Sequence, residues 1–185
     1  AGLMREYRWV YGQMNRRLRG IFSPFFLYSE LRTLFICLRR LSDRKAGVLD
    51  ELLNRSLLSD EMKEVLFLST DLQAAVSGIE RLFASCGKKA LGLAGILETG
   101  GLRGVEQRLI EWYLAETVAS GLHPLLKLFF SRLIDARNII GIYKFLRLEI
   151  KTVPPVIPGG QIPEARLSGI AKRGDLAEVG SLIEE

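Results

Sequence analysis

The chain has 185 residues, of which 48% are hydrophobic and 25% are charged. This length suffices for one hydrophobic core or two small ones, and the composition excludes an intrinsically disordered chain. The most apolar segment, residues 122–150, carries seven charged side chains, so we expect no membrane-spanning helix in the chain. The charged residues Arg5, Glu6 and Arg8 are unlike the start of a secretory signal.

The sequence offers few side chains that bind metals or take part in redox chemistry. Cys37 and Cys86 are far apart and outside any CxxC spacing, which indicates two buried thiols in a reducing compartment. The single histidine, His123, precedes Pro124, a position more typical of a helix cap or loop than of a metal ligand. We therefore expect no metal site and no cofactor.

No catalytic constellation can be assembled from the residue pattern. Residues 100–104, Gly-Gly-Leu-Arg-Gly, lack the GK[ST] of a P-loop and follow no predicted strand. The sequence contains no HExxH or GxSxG motif, and its acidic residues are spread along helical faces. We predict that the chain is not an enzyme; a pocket between two lobes remains the enzymatic alternative.

The net charge of +5 is concentrated at the N-terminus, since residues 1–45 hold ten Lys or Arg against three Asp or Glu. Apolar residues at steps of three and four predict an amphipathic helix over residues 3–21. Four arginines lie on its opposite face: Arg5, Arg8, Arg16 and Arg19. This face is either an ordinary solvated surface or a contact for an acidic partner, nucleic acid or an anionic membrane. Nucleic acid is the less favoured alternative because residues 46–185 are net acidic.

Capping residues predict the other helices of the N-terminal half. Ser23-Pro24 predicts a turn followed by a helix to residue 40. N-caps at Asp43, at Ser59 and at Thr70 or Asp71 predict helices that end near residues 55, 68 and 83. Glycines predict a loop or hinge over residues 88–99, which divides the chain into an N-terminal lobe, 1–99, and a C-terminal lobe, 100–185.

The C-terminal lobe is predicted to contain a helix over residues 105–120 and a central helix over residues 122–150 that neighbours surround on most sides. A polar line runs along the central helix: Lys127, Ser131, Asp135 and Asn138. Asp135 and Asn138 are expected to bond each other or to cap a neighbouring helix. An irregular Pro/Gly-rich loop, residues 153–163, precedes two short helices, which begin at Pro163 and after Asp175. No convincing strand pattern appears, so we predict an all-α protein of helical hairpins in one or two lobes.

Residues 129–147 resemble a helix of the C subunit of rotary V-type ATPases, which is called subunit d in eukaryotes. The resemblance rests on Asp135, Asn138 and Arg147 and continues through Pro158-Gly159-Gly160 and the short helix after it. It covers about residues 128–173, with a weaker similarity of pattern over residues 5–40.

The resemblance implies an all-helical, non-catalytic subunit built from helical repeats, which sits on the cytoplasmic end of the proteolipid ring and receives the central shaft. Its partners would be the central stalk and the proteolipid ring, and it would meet the membrane only through them. Asp135, Asn138 and Arg147 would orient helices, and Gly159-Gly160 would form a turn.

The function we predict is therefore a cytoplasmic, membrane-peripheral coupling or adaptor subunit of a rotary ATPase that transports ions. Contact with rotor loops through the four N-terminal arginines is a hypothesis from the charge distribution. The alternatives are a basic helical module that binds nucleic acid or an anionic surface, and a helical protein-interaction domain of an unrelated complex.

Overall fold

The computed structural model describes residues 2–43, 49–150 and 152–184. Within these ranges the chain forms nine α-helices and no β-strand, which confirms the all-α prediction. The helices are α1 (Gly2–Gln13), α2 (Arg16–Ser42), α3 (Leu49–Asn54), α4 (Asp60–Leu68), α5 (Leu72–Ser85), α6 (Leu93–Ala119), α7 (Pro124–Arg147), α8 (Glu164–Arg173) and α9 (Leu176–Glu184).

The chain divides into two compact units, residues 1–110 and 111–185. The sequence predicted this boundary at residue 100, in the glycine-rich segment. The division falls instead within α6, because that helix continues through the glycines with only a kink at Gly101 (φ 61°, ψ −167°). A backbone with this φ is readily adopted by glycine, which has no Cβ.

The first helix is shorter than predicted, since it ends at Gln13 and a second helix begins at Arg16. Asn15 lies in an extended conformation, and its side-chain oxygen accepts a hydrogen bond from the Leu18 amide at 2.9 Å. This is the geometry of an N-cap, so the chain breaks at Asn15. The predicted turn at Ser23-Pro24 is wrong, because Pro24 lies inside α2.

Helix α2 supplies much of the core of the first unit and packs against α1, α3 and α5. Leu34, Leu38 and Leu41 are buried at the spacing of one helix face. Tyr7 and Tyr11 of α1 make edge-to-face ring contacts with Phe26 of α2 at centroid distances of 5.9 and 5.1 Å. An apolar and aromatic seam therefore joins the first two helices.

By length and composition alone, α2 is apolar enough to cross a membrane, and it is the one such helix among the described residues. The candidate is thus α2 and not the segment 122–150 considered from the sequence, and the expectation of no membrane-spanning helix stays a prediction. Only Glu30 and Arg32 carry charge between residues 20 and 38, and one third of the most apolar window is buried inside the protein. Core helices of water-soluble proteins pass the same test.

The predicted caps of α4 and α5 are confirmed. The Ser59 hydroxyl accepts from the Met62 amide at 3.3 Å, and the Asp71 carboxylate accepts from the Ala74 amide at 2.8 Å. Asp43 was predicted to cap the start of a helix, but it lies at the C-cap of α2. The predicted start of that helix falls within residues 44–48, outside the described residues.

The loop predicted over residues 88–99 is shorter than expected, because α6 already begins at Leu93. Its first amides are satisfied from another helix: the Glu80 carboxylate of α5 accepts from Gly92 at 2.6 Å and from Leu93 at 3.3 Å. A cap supplied twelve residues earlier in the chain leaves no local sequence signal.

The second unit contains α7, a non-helical segment over residues 152–163, and the short helices α8 and α9. The irregular loop predicted at residues 153–163 is confirmed as non-helical. Asp175 accepts from the Ala177 amide at 2.8 Å at the start of α9, as predicted, whereas Glu178 pairs with Arg173. The apolar core of this part is formed by Ile142, Leu167, Ile170, Ala171, Val179 and Leu182.

The break at Asn15 can be tested by substitution. We expect Asn15→Ala to lower the free energy of unfolding by about 1 kcal/mol, because the Leu18 amide loses its acceptor. Asn15→Asp keeps an acceptor and should remain near wild type, and Ser23→Ala should change little because Ser23 lies within a helix. Urea denaturation measures all three; a large loss for Ser23→Ala alone would restore the predicted turn.

Candidate functional site

The polar line predicted along α7 is buried over three of its four members. Ser131, Asp135 and Asn138 are 7%, 8% and 6% exposed, whereas Lys127 is exposed. The sequence suggested that Asp135 and Asn138 bond each other or cap a neighbouring helix. Neither bond is formed among the described residues. The three side chains bind the backbone of the non-helical segment that follows α7.

The Asp135 carboxylate accepts two consecutive backbone amides. Gln161 donates to Oδ2 at 2.8 Å, and Ile162 donates to Oδ1 at 3.1 Å. Amides of an irregular segment have no regular partner, and a buried carboxylate that accepts two of them gains compensation for its own loss of water. Asp135 therefore fixes the chain immediately before Pro163 and α8.

Asn138 pairs with a single residue through both ends of its side-chain amide. Its nitrogen donates to the Ile157 carbonyl and its oxygen accepts from the Ile157 amide, both at 2.9 Å. One turn before Asp135, the Ser131 hydroxyl donates to the Gly159 carbonyl at 2.8 Å. We call these bonds, from Ser131, Asp135 and Asn138 to residues 157–162, the clasp.

The glycines of the clasp permit close approach to α7. Gly159 has a φ of 93°, and a Cβ there would lie 3.0 Å from Cγ1 of Val118. A Cβ on Gly160 would overlap Oδ1 of Asp135. Gly159 lies in a turn with Pro158, in line with the predicted turn. The sequence did not predict the position of Gly160 beside Asp135, where the carboxylate leaves no room for a Cβ.

The face of α7 adjacent to the clasp is exposed and mainly apolar. Leu125 is 71% exposed, Ile140 51% and Tyr143 48%. We call the residues of this face the outer stripe: Leu125, Leu128, Phe129, Arg132, Ala136, Ile140 and Tyr143. At 3.6 residues per turn, they lie within an arc of about 120°. The predicted burial of this helix on most sides is therefore wrong along the outer stripe.

Arg132 occupies the middle of the outer stripe and borders two cavities. One, of about 410 Å³, lies between Arg132 and the leucines and Phe129 of the first two turns. The other, of about 730 Å³, is bordered by Arg132, Ile140 and Arg166 among others. The larger cavity is also lined by Asp135, Gln161 and Arg166. A surface that combines apolar side chains with arginine is typical of protein-binding sites.

The four N-terminal arginines do not share one helix, because Arg5 and Arg8 belong to α1 and Arg16 and Arg19 to α2. Arg19 donates to the carbonyls of Tyr11 at 3.1 Å and Gly12 at 2.7 Å, and its guanidinium lies 5.5 Å from the Tyr11 ring centroid. It therefore satisfies the carboxyl end of α1.

Arg8 has a similar role at the end of α3, where it donates to the Asn54 carbonyl at 2.6 Å. Arg5 lies 4.0 Å from Glu6 and is strongly exposed, and Arg16 is exposed in the first turn of α2. Binding of a partner by these four arginines stays a prediction.

Arg147, the third residue of the resemblance, is exposed in the last turn of α7.

The side chains considered for metal or redox chemistry lie apart. His123 caps α7, with Nδ1 accepting from the Leu125 amide at 3.4 Å. Cys37 is buried as predicted, and burial raises its pKa to about 11; nearby Arg40 lowers the pKa, and Glu30 raises it. Cys86 is exposed, so the prediction of a second buried thiol is wrong.

Sequence reasoning missed Glu30 of α2. The residue is 2% exposed, and its Oε2 atom has no hydrogen-bond partner among the described residues. The signal was present, because Glu30 is the single acidic residue of α2 and lies within its apolar central stretch. A buried carboxylate oxygen without a donor lowers the stability of the fold. The position of Glu30 is therefore held by the packing of the residues around it.

In the comparisons with known proteins, no family model matches the chain, and neither a curated protein nor a solved structure is significantly similar to it.

The clasp predicts a large loss of stability for Asp135→Ala. We expect the free energy of unfolding to fall by about 3 kcal/mol, because the Gln161 and Ile162 amides lose a charged acceptor. Lys127→Ala, on the same line but exposed, should change it by less than about 0.5 kcal/mol. Chemical denaturation followed by circular dichroism measures both, and equal values would place Asp135 in solvent.

The space around two glycines, Gly160 in the clasp and Gly180 in α9, predicts opposite effects of alanine substitution on stability. Gly160→Ala should destabilise the protein by about 2 kcal/mol, since the added methyl displaces the Asp135 carboxylate. Gly180→Ala lies in helix α9, where the new Cβ meets no atom within 4 Å, and should stabilise by about 0.5 kcal/mol. Thermal unfolding measures both, and a Gly160→Ala variant as stable as wild type would contradict the clasp geometry.

Proposed function

We propose that this chain is a non-catalytic docking subunit that binds another protein through the outer stripe of α7. The observation that carries the proposal is the combination of two adjacent faces on one helix, one bonded to the following segment and one exposed. Ser131, Asp135 and Asn138 lock the inner face, while the outer stripe leaves large apolar side chains in solvent. Exposed apolar surface of this extent is typical of interaction sites.

Rigidity favours this role. A binding face that is held in place before association loses less conformational entropy when the partner arrives. The clasp holds α7 from one side over two turns, and the core around Ile142 and Leu167 holds it further along. The outer stripe is thereby held in place before a partner binds.

The more specific proposal is a coupling or adaptor subunit of a rotary V-type ATPase, on the cytoplasmic side of the membrane. It rests on the resemblance of residues 128–173. In its support, Asp135 and Asn138 of that segment both hydrogen-bond residues 157–162, and Gly160 leaves room for the Asp135 carboxylate, which suits a helix-orienting role. Its partners would be the central stalk and the proteolipid ring.

A basic surface module remains the second proposal, and the N-terminal charge supports it. Arg16 and Arg17 are exposed in the first turn of α2, where no acidic residue accompanies them. Positive charge at the amino end of a helix opposes the helix dipole, so these side chains gain from an anionic partner. Such binding would weaken steeply with salt.

A differential pull-down tests the docking proposal. Tagged wild-type chain and the Leu125→Gln/Phe129→Gln variant are incubated with native membranes of the source, and the bound proteins are compared by mass spectrometry. We expect at least one protein to be lost by more than about tenfold with the variant, because two apolar anchors are removed. Rotary-ATPase subunits among the lost proteins would support the more specific proposal.

The matched control is Leu68→Gln, which changes a leucine that is 67% exposed at the end of α4. It should retain the full set of bound proteins. Equal recovery by wild type and the α7 variant would contradict docking through the outer stripe. Recovery of nucleic acid that is released by salt would favour the basic surface module.

A further inference from the structure

We infer that the outer stripe binds an amphipathic helix of a partner protein that has acidic side chains along its apolar face, and that one of its carboxylates pairs with Arg132. This inference rests on the proposed docking function and adds the chemistry of the partner. It combines the charge of α7, the position of Arg132 and the two cavities beside it.

The exposed charge on α7 has a single sign. Lys127, Arg132, Lys144 and Arg147 are exposed, and the acidic residue of the helix, Asp135, is buried with both oxygens bonded to backbone amides. No carboxylate of the described residues forms an ion pair with Arg132. On the outer stripe an acidic partner would therefore meet the positive charge of Arg132 without a competing ion pair from the described residues.

The central position of Arg132 favours a protein over a lipid surface. Basic residues of membrane-surface helices lie on the polar face and at the edge of the apolar face, where they reach headgroups. Arg132 instead lies between Phe129 and Ala136 on the axis of the outer stripe, so acyl chains would enclose its charge. A partner carboxylate can supply bidentate hydrogen bonds to a guanidinium at that position.

The length of the outer stripe matches that of a partner helix of about five turns. From Leu125 to Tyr143 the outer stripe extends about 27 Å at 1.5 Å per residue, which equals about five turns of a partner helix. The cavities of about 410 and 730 Å³ on either side of Arg132 would receive apolar side chains of successive turns. The partner should thus carry leucine-like residues at steps of three and four, with a glutamate or aspartate between them.

The test uses two designed peptides of eighteen residues, labelled with a fluorophore. Both have leucines along one helical face; one has glutamates beside them and the other has lysines at the same positions. Fluorescence anisotropy with the full chain should show the glutamate peptide binding at least about tenfold more tightly than the lysine peptide. Arg132→Glu should reverse the order, and Arg132→Gln should remove most of the preference.

Lys127→Glu is the matched control, because it makes the same charge change on α7 outside the outer stripe. We expect it to alter the affinity for the glutamate peptide by less than about threefold. Equal affinity of wild type for both peptides, no measurable binding of the glutamate peptide, or an unchanged order with Arg132→Glu would each overturn the inference. Circular dichroism of each variant establishes that it is folded.

Binding to vesicles of phosphatidylserine and phosphatidylcholine tests the alternative that the outer stripe binds a membrane. Binding to them that is stronger than binding to the glutamate peptide, and that Leu125→Gln/Phe129→Gln abolishes, would assign the outer stripe to a membrane and overturn the inference. If proteins are lost from the α7 variant in the pull-down but the peptides bind equally, the docking function stands and only the acidic partner fails.

Discussion

The carboxylate of Asp135 is the constraint on which the second unit depends. A buried charge is costly unless donors surround it, and the amides of Gln161 and Ile162 are costly unless an acceptor reaches them. Each cost is removed by the other group, across an interval of 26 residues in the chain. The exchange fixes the direction in which the backbone enters Pro163, and it thereby places α8 so that Leu167 and Ile170 reach the core beside Ile142.

The clasp also explains why α7 can leave apolar residues in solvent. A helix usually remains in place because its apolar face is buried against neighbours. On α7, hydrogen bonds from Ser131, Asp135 and Asn138 contribute part of this anchoring, together with buried Phe130 and Ile134. The most exposed residues of the outer stripe, such as Leu125 and Ile140, then contribute little burial to this anchoring.

Local signals in the sequence predicted the fold class and several boundaries, and long-range partners account for the errors. Ser59, Asp71 and Asp175 cap helices that begin within three residues, so their role is readable from the chain itself. The polar line on α7 was also readable, but its partner was not, because residues 157–162 have no periodic pattern that indicates which side chains they meet. At Asn15 and Ser23 two capping signals competed eight residues apart, and the proline after Ser23 was accommodated inside α2.

Charge is informative only together with its surroundings. The number of N-terminal arginines suggested a binding face. Arg8 and Arg19, however, donate hydrogen bonds to carbonyls at the carboxyl ends of α3 and α1. Arg132 belongs to no cluster in the sequence, and it becomes notable only when α7 places it among exposed apolar side chains. A guanidinium in that setting can be desolvated by a partner and still paired, whereas one on a solvated face contributes little to affinity. An interface is therefore better sought at the isolated arginine of an apolar face than at the densest run of basic residues.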